Sequence, residues 1–264
     1  MNTAMFETLD IARDNKIATV WMNRPDRHNA FNAQVIAELT QAFEALGADD
    51  SARVVVLAGR GKSFSAGADL NWMKAAGEAG FEDNLADARK LAAMLSALAQ
   101  MPKPTIARVQ GAALGGGMGL AAACDLCIAS TEAAFATSEV RFGLIPSTIG
   151  PYVLRAIGAR QASRYFLNAE RIDASTAKAI GLAHDVVAPD DLDRAVAAQA
   201  ALLLAGGPLA QAEAKALIRD FAGKEIDGSL GEESARRIAA LRSGGEAREG
   251  LSAFLEKRSP NWSD

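Results

Sequence analysis

Twice in this chain a short apolar strand runs into a turn of small residues and then into a helix, and that pattern constrains the fold more than any other. The first copy holds V-V-V-L within residues 53–58, then G-R-G-K-S-F-S-A-G-A-D-L. The second holds T-I-A-R-V at Thr105–Val109, then G-A-A-L-G-G-G-M-G-L and an alanine-rich run. The strands start about 51 positions apart, an echo in architecture without a sequence repeat. A run as apolar as V-V-V-L reads as a buried strand, and strands alternating with helices imply an α/β body. The glycines need a reason of their own. Gly115, Gly116, Gly117 and Gly119 open a helix, where glycine costs about 1 kcal/mol relative to alanine.

Other segments arrange themselves around these two. Ile17–Met22 (I-A-T-V-W-M) has the β-branched and aromatic content of a strand. N-R-P-D-R-H-N-A reads as a turn. Val35, Ile36, Leu39, Phe43 and Leu46 recur at helical spacing, with Asn29 or Asn32 as the candidate cap. Residues 71–83 are mixed in character and read as a mobile cover, and 85–100 as a helix stopped by M-P-K-P. Strands are expected at 126–129, 134–136 and 184–187, and helices near 151–157, 161–167 and 175–180. S-E-V-R-F-G-L-I-P reads as a turn or short helix. From Asp191 onward the pattern is helical, at 191–205, 208–221, 230–242 and 246–257. The expected organisation is therefore a body over 1–190 and a helical region over 191–264. Helices this short cannot bury themselves and need the body or another subunit.

Half of the 264 residues are apolar and the net charge is −4. This composition supports a sizeable core and leaves no electrostatic footprint for nucleic acid or an acidic membrane. The N-terminus lacks the basic and apolar regions of a secretory signal. No uncharged apolar run approaches the roughly 20 residues that span a bilayer. A soluble cytoplasmic protein without a membrane partner is expected. The two cysteines, Cys124 and Cys127, are spaced C-D-L-C, and the two histidines, His28 and His184, lie far off in sequence. That set is too small for structural zinc, and no metal site is expected. The pair reads either as buried thiols or as a redox couple.

Known glycine-loop chemistries fail one by one. G-K-S at Gly61–Ser63 ends like a Walker A loop, but Val56 stands where its first glycine belongs. Gly117-Met-Gly119-Leu-Ala-Ala122 mimics a dinucleotide fingerprint, yet five residues (Gln110 to Leu114) separate the strand from the first glycines of the run. No G-x-S-x-G nucleophile elbow is present. Backbone chemistry remains. The turns A-G-A-D at 66–69 and G-G-G at 115–117 let a substrate approach the main chain closely. A helix start also offers unpaired N–H groups and a positive dipole end. Two such N–H groups aimed at one oxygen make an oxyanion hole; taken singly, either turn also reads as a plain packing turn.

Together these residues resemble the crotonase (enoyl-CoA hydratase/isomerase) superfamily. The resemblance is carried by N-R-P-D-R-H-N-A-F at 23–31, F-S-A-G-A-D-L at 64–70 and V-Q-G-A-A-L-G-G-G-M-G-L-A-A-A-C-D at 109–125. It continues through F-A-T-S-E-V-R-F-G-L-I-P at 135–146, A-K-A-I-G-L-A at 177–183 and F-L-E-K-R-S-P-N-W at 254–262. It implies an α/β spiral of ββα units with a C-terminal helical trimerisation region, assembled as a homotrimer or dimer of trimers. It implies an acyl-CoA substrate, with coenzyme A as the thioester carrier and no other cofactor. The backbone N–H groups of Ala68 and Gly116 match the oxyanion donors. Arg24 and the backbone of Ala66 match positions along the nucleotide and pantetheine path. Lys257 matches a tail lysine that reaches CoA phosphates, a neighbouring subunit's included.

Hydratases of this family use two glutamates. Glu139 matches one, and Gly119 stands where the other would be. A second departure is I-P-S-T-I-G at 145–150, in place of a glycine-rich run; Ser147 there is a candidate for binding a water or a polar substrate group. The flavour of the motifs resembles bacterial methylglutaconyl-CoA and related carboxylated enoyl-CoA hydratases, whose acyl group carries a distal carboxylate. Arg141 is the candidate partner for it, since guanidinium binds carboxylate bidentately. Arg24, Lys257 and Arg141 also read as ordinary surface or ion-paired groups, and Ser147 as a turn serine. A hydratase using Glu139 is expected, with a single-glutamate Δ3,Δ2-enoyl-CoA isomerase as the runner-up. A non-catalytic homologue that binds CoA esters or RNA is the alternative from another class.

Overall fold

The computed structural model describes residues 6–263. Along the chain run β1 (Leu9–Asp14), β2 (Ile17–Met22), α1 (Ala33–Ala48), β3 (Val54–Gly59), α2 (Leu70–Glu78), α3 (Phe81–Gln100), β4 (Thr105–Val109), β5 (Ala112–Leu114) and α4 (Gly116–Ala123). Then come β6 (Leu126–Ser130), β7 (Ala134–Ala136), α5 (Gly150–Asn168), β8 (Ile172–Asp173), α6 (Ala174–Ala179), β9 (Asp185–Val187), α7 (Leu192–Leu204), α8 (Pro208–Phe221), α9 (Gly228–Arg242) and α10 (Gly245–Leu255). A six-stranded sheet has the order β1-β2-β3-β4-β6-β9, parallel except for the β1–β2 hairpin. A smaller sheet has the order β5-β7-β8.

The apolar strands are buried on both faces because side chains alternate across a strand. Val55 and Leu57 of β3, Ala107 and Val109 of β4, and Cys127 and Ala129 of β6 join the main core with α1 and α3. Val54, Val56, Ile106 and Ile128 point the other way and are covered by Leu192, Val196 and Ala200 of α7. Asp125 ties three elements at one corner. Its carboxylate accepts from Thr105 N and Oγ1 at 2.7 and 2.8 Å and pairs with Lys215 of α8 at 2.6 Å. Both cysteines are free and buried, and burial pushes the Cys127 thiol up to about 12.

Several elements depart from the sequence reading. β1 was not expected: only Leu9 in it is buried, so an edge strand with no apolar alternation leaves no period-2 signal. Residues 71–83 are not an irregular cover. They form α2 and the start of α3, with the Asp69 carboxylate capping α2 through Asn71 N. α2 buries no side chain, which is why its apolar pattern is blank. The expected helices at 151–157 and 161–167 are present as the two halves of α5, separated at Gly158, whose φ of 70° no helix continues through. Asn32, and not Asn29, caps α1 by accepting from Val35 N at 2.9 Å.

At the C-terminal end, α8 and α9 bury no residue and α10 buries Ala253 alone. Ile218, Ile226, Ile238, Leu251, Phe254 and Leu255 are all exposed there. The chain end nonetheless docks on the body: the Trp262 carbonyl accepts from Lys16 Nζ and Arg53 Nη1, and its indole N–H donates to Ala205 O. Among the described residues no single helix is long and apolar enough to cross a membrane.

Asn29 is freed from capping to hold the loops around the glycine turns. It is 1% exposed and left-handed (φ 53°). Its Oδ1 accepts from Arg24 N, and its Nδ2 donates to Arg60 O and Ser63 O at 2.9 and 2.8 Å. Asn29→Ala strands one N–H and two carbonyls and puts alanine in an unfavourable backbone region. We expect a loss of about 3 kcal/mol or more in urea denaturation.

Candidate active site

The two small-residue turns lie side by side because their backbones pair. Phe64 N donates to Gln110 O, Ser65 N to Ala112 O, and Leu114 N back to Ser65 O, each at 2.9 Å. This pairing brings main chain against main chain. A Cβ on Gly117 would lie 2.5 Å from Ser65 O, and one on Gly67 would lie 2.8 Å from Leu114 O. Gly67 and Gly115 also take positive φ, 86° and 50°. Side chains at these positions would pry the turns apart, which answers why glycines open α4.

The N–H groups of Ala68 and Gly116, the two that the family resemblance singles out, take no part in this pairing. Phe31 N donates to Gly67 O at 2.6 Å and Asp69 N to Phe31 O at 2.8 Å, so the strand-like contact skips the N–H of Ala68 between them. Gly116 is the first residue of α4, whose opening N–H groups precede the helical ladder. Among the described residues neither N–H has an acceptor, and both residues are only half-buried. An unpaired N–H at a helix start, such as that of Gly116, sits at the positive end of the dipole, the kind of donor that can hold a developing oxyanion.

Glu139 reaches the same spot from β7. Gly115 N donates to Ala136 O at 2.8 Å, which pins the end of β7 to the glycine turn. A 3-10 turn over Glu139–Phe142 follows at once. Glu139 Oε1 ends 3.3 Å from where a Cβ on Gly115 would sit, and Oε2 is buried with no hydrogen-bond partner. Burial pushes the carboxyl above its usual range, with only its own backbone N–H opposing the shift. A half-buried carboxyl with one oxygen shielded from solvent and unpaired is chemically suited to carry a proton.

The remaining candidates are placed as follows. A Cβ on Gly119 would overlap Ile149 Cγ2 and lie 2.8 Å from Ile149 Cβ, and Ile149 is buried. An isoleucine side chain thus fills the space over Gly119, one turn along α4 from Gly115. Arg24 donates to Ala30 O at 2.6 Å and to Asp69 Oδ2 at 3.1 Å, bracing the turn that follows Ala68. Ala66 N donates to His28 O. Arg141 Nη2 donates to Ala169 O at 2.9 Å, at the C-terminal end of α5. Ser147 is exposed in the turn before α5. Lys257 is exposed past α10, and its side chain makes no hydrogen bond or ion pair among the described residues. The site therefore gathers Ala68, Gly116, Glu139 and Gly119 with Ile149. Lys257 lies in the tail and Arg141 is tied to α5.

The sequence reading missed Asn29, Phe31, Ser65 and Ile149. Ser65 is fully buried, its Oγ donating to Asn29 O at 2.8 Å and accepting from Gly67 N. A small polar residue inside an apolar turn was the available signal for it. For Ile149 the signal was the β-branched residue that interrupts an expected glycine run.

Two outcomes follow. Gly119→Ala should cost about 1–3 kcal/mol through overpacking against Ile149. Combined with Ile149→Ala, the two losses should fall short of additive by about 1 kcal/mol, measured as a double-mutant cycle in urea. The raised Glu139 carboxyl sets a pH dependence. Above the ordinary glutamate value the folded state holds the proton longer than the unfolded chain does, so stability falls as pH rises towards the folded value. Glu139→Gln removes that penalty. The variant should gain more over the parent at about pH 7.5 than at about pH 4 in thermal melts, and a pH-independent difference would refute a raised carboxyl.

Comparison with known proteins bears on the same architecture. The family model for enoyl-CoA hydratase/isomerase matches residues 12–264. The chain is 36% identical to the 2,3-dehydroadipyl-CoA hydratase of Escherichia coli, covering 96% of this chain and 98% of that one. It is 34% identical to the crotonyl-CoA hydratase of Syntrophomonas wolfei, covering 97% and 98%. The crystal structure of an enoyl-CoA hydratase from Shewanella pealeana superposes with a TM-score of 0.95 at 43% identity, covering 97% of this chain and 96% of that one. With matches that span the ββα body and the C-terminal helices alike, the chain belongs to the enoyl-CoA hydratase/isomerase family.

Proposed function

We propose that this protein adds water across the α,β double bond of an enoyl-CoA thioester. The observation that carries the reading is the buried, partnerless Oε2 of Glu139 beside the acceptor-free N–H groups at Ala68 and Gly116. In this mechanism the two N–H groups hold the thioester oxygen. Ionised Glu139 takes a proton from water as the water oxygen bonds to Cβ. The π electrons move through Cα to the thioester oxygen, giving an enolate held by the two donors. The enolate collapses, Cα takes the proton from Glu139, and the carboxylate is restored. Desolvation raises the basicity of this carboxylate and so suits it to take a proton from water.

For the acyl group we propose a branched, carboxylated chain such as 3-methylglutaconyl. The resemblance of the motifs supports this, as does similarity to a hydratase of 2,3-dehydroadipyl-CoA, whose acyl chain ends in a carboxylate. Arg141 keeps guanidinium N–H groups beyond the one spent on Ala169 O for such a carboxylate. Arg24, Ala66 and Lys257 line the CoA path, and Ser147 serves the polar end of the acyl pocket. Residues 1–190 carry the thioester site, and 191–264 assemble a homotrimer or dimer of trimers through the exposed apolar stripe of α8–α10.

Isomerisation of a 3-enoyl-CoA is the second reading, favoured by Ile149 filling the space over Gly119 and leaving one carboxyl to move protons between carbons. A panel of enoyl-CoA thioesters that includes 3-methylglutaconyl-CoA separates the two: hydration adds the mass of one water, isomerisation adds none. Glu139→Gln should lower turnover by about 100-fold or more while CoA-ester affinity stays within a few-fold. Unchanged turnover in that variant overturns the assignment.

A further inference from the structure

We infer that Phe31 is a positioning residue that locks the two oxyanion donors to each other. The inference rests on Ala68 and Gly116 being those donors, and it concerns what sets their spacing. The donors sit on turns 48 residues apart in sequence, and Phe31 belongs to neither. Its backbone holds one of them. Phe31 N donates to Gly67 O and Phe31 O accepts from Asp69 N, so the residues on both sides of Ala68 are bonded to the same amino acid. Its side chain holds the other. A Cβ on Gly116 would lie 2.5 Å from Phe31 Cε2 and 2.8 Å from Cδ2, so the ring edge presses flush against the Gly116 main chain.

Phe31 is itself held on each side. Arg24 donates to the carbonyl of Ala30, the preceding residue. Asn32, the following residue, is fixed as the cap of α1. Arg24 also bonds Asp69, which closes a ring of contacts through Arg24, Asp69, Phe31 and Ala30. At 1% exposure the ring has no room to move. The absence of a Cβ at Gly116 is then as much a requirement of Phe31 as of the substrate. One residue reads the position of both turns, and the distance between Ala68 N and Gly116 N is set through it.

The two turns also pair directly through Ser65, so removing the ring loosens Gly116 without detaching Ala68. Catalysis should therefore suffer more than binding, because CoA-ester contacts along the rest of the chain are untouched. A misplacement on the order of 1 Å costs about 100-fold in rate.

The experiment uses a CoA thioester of a conjugated aromatic acid, whose absorption moves to longer wavelength when its carbonyl is polarised by hydrogen bonds. Bound to the unaltered protein, it should show that shift; its absence there refutes the donors themselves and with them the proposed mechanism. Phe31→Leu and Phe31→Ala should bind the probe but lose about half of the shift or more, and their kcat should fall about 10- to 100-fold with KM nearly unchanged. Phe43→Ala, an equally buried phenylalanine within α1, controls for lost core packing and should keep the full shift. The leucine variant serves if the alanine variant does not fold. A full shift with unchanged kcat in Phe31→Leu, or the same loss of shift in Phe43→Ala, overturns the inference.

Discussion

The structure depends on the close pairing of two backbone turns through Ser65. Hydrogen bonds from Ser65 N to Ala112 O and from Leu114 N to Ser65 O bring the turns within a distance that excludes Cβ atoms at Gly67 and Gly117. Everything chemical about the site follows from that approach. Each N–H that joins the pairing is spent, while those of Ala68 and Gly116 have no acceptor among the described residues. A glycine-rich helix start loses stability locally. The loss is offset by the sheet-like bonds that the missing side chains permit, and by a core that buries V-V-V-L on both faces.

Glu139 shows the complementary arrangement. Buried polar groups are normally satisfied, and the surrounding loops obey that rule closely: Asn29 and Ser65 have their hydrogen-bonding atoms in use. Against that background the partnerless Oε2 of Glu139 stands out. Ile149 fills the space over Gly119, one turn along α4 from Gly115, with an aliphatic side chain. Desolvation disfavours the charge of this carboxyl, a condition that suits it to exchange protons with carbon or water.

The tail follows a different logic. α7 is part of the body, since its apolar face covers the second face of the large sheet. Beyond it, α8 to α10 keep their apolar side chains on the outside, while Trp262 returns to bind the loop before β3 through Arg53.

The sequence alone determined the strands at 17–22, 53–58 and 105–109, the helices that flank them, the family, and the turns where backbone would be exposed. These are legible because periodicity and steric permission are local properties: a run of β-branched residues, or four glycines in five positions, carries its meaning in place. The edge strand β1 and the helix α2 were not legible, because neither buries an apolar face that would imprint a pattern. Only the tertiary structure decided which N–H groups stay unpaired, that Glu139 Oε2 is shielded without a partner, that Ile149 occupies the space over Gly119, and that Phe31 touches both turns. Those facts join residues 31, 68, 116, 139 and 149 across long stretches of chain. They arise from where the spiral of strands and helices carries each segment, and a linear pattern encodes which residues tolerate close approach without encoding what approaches them.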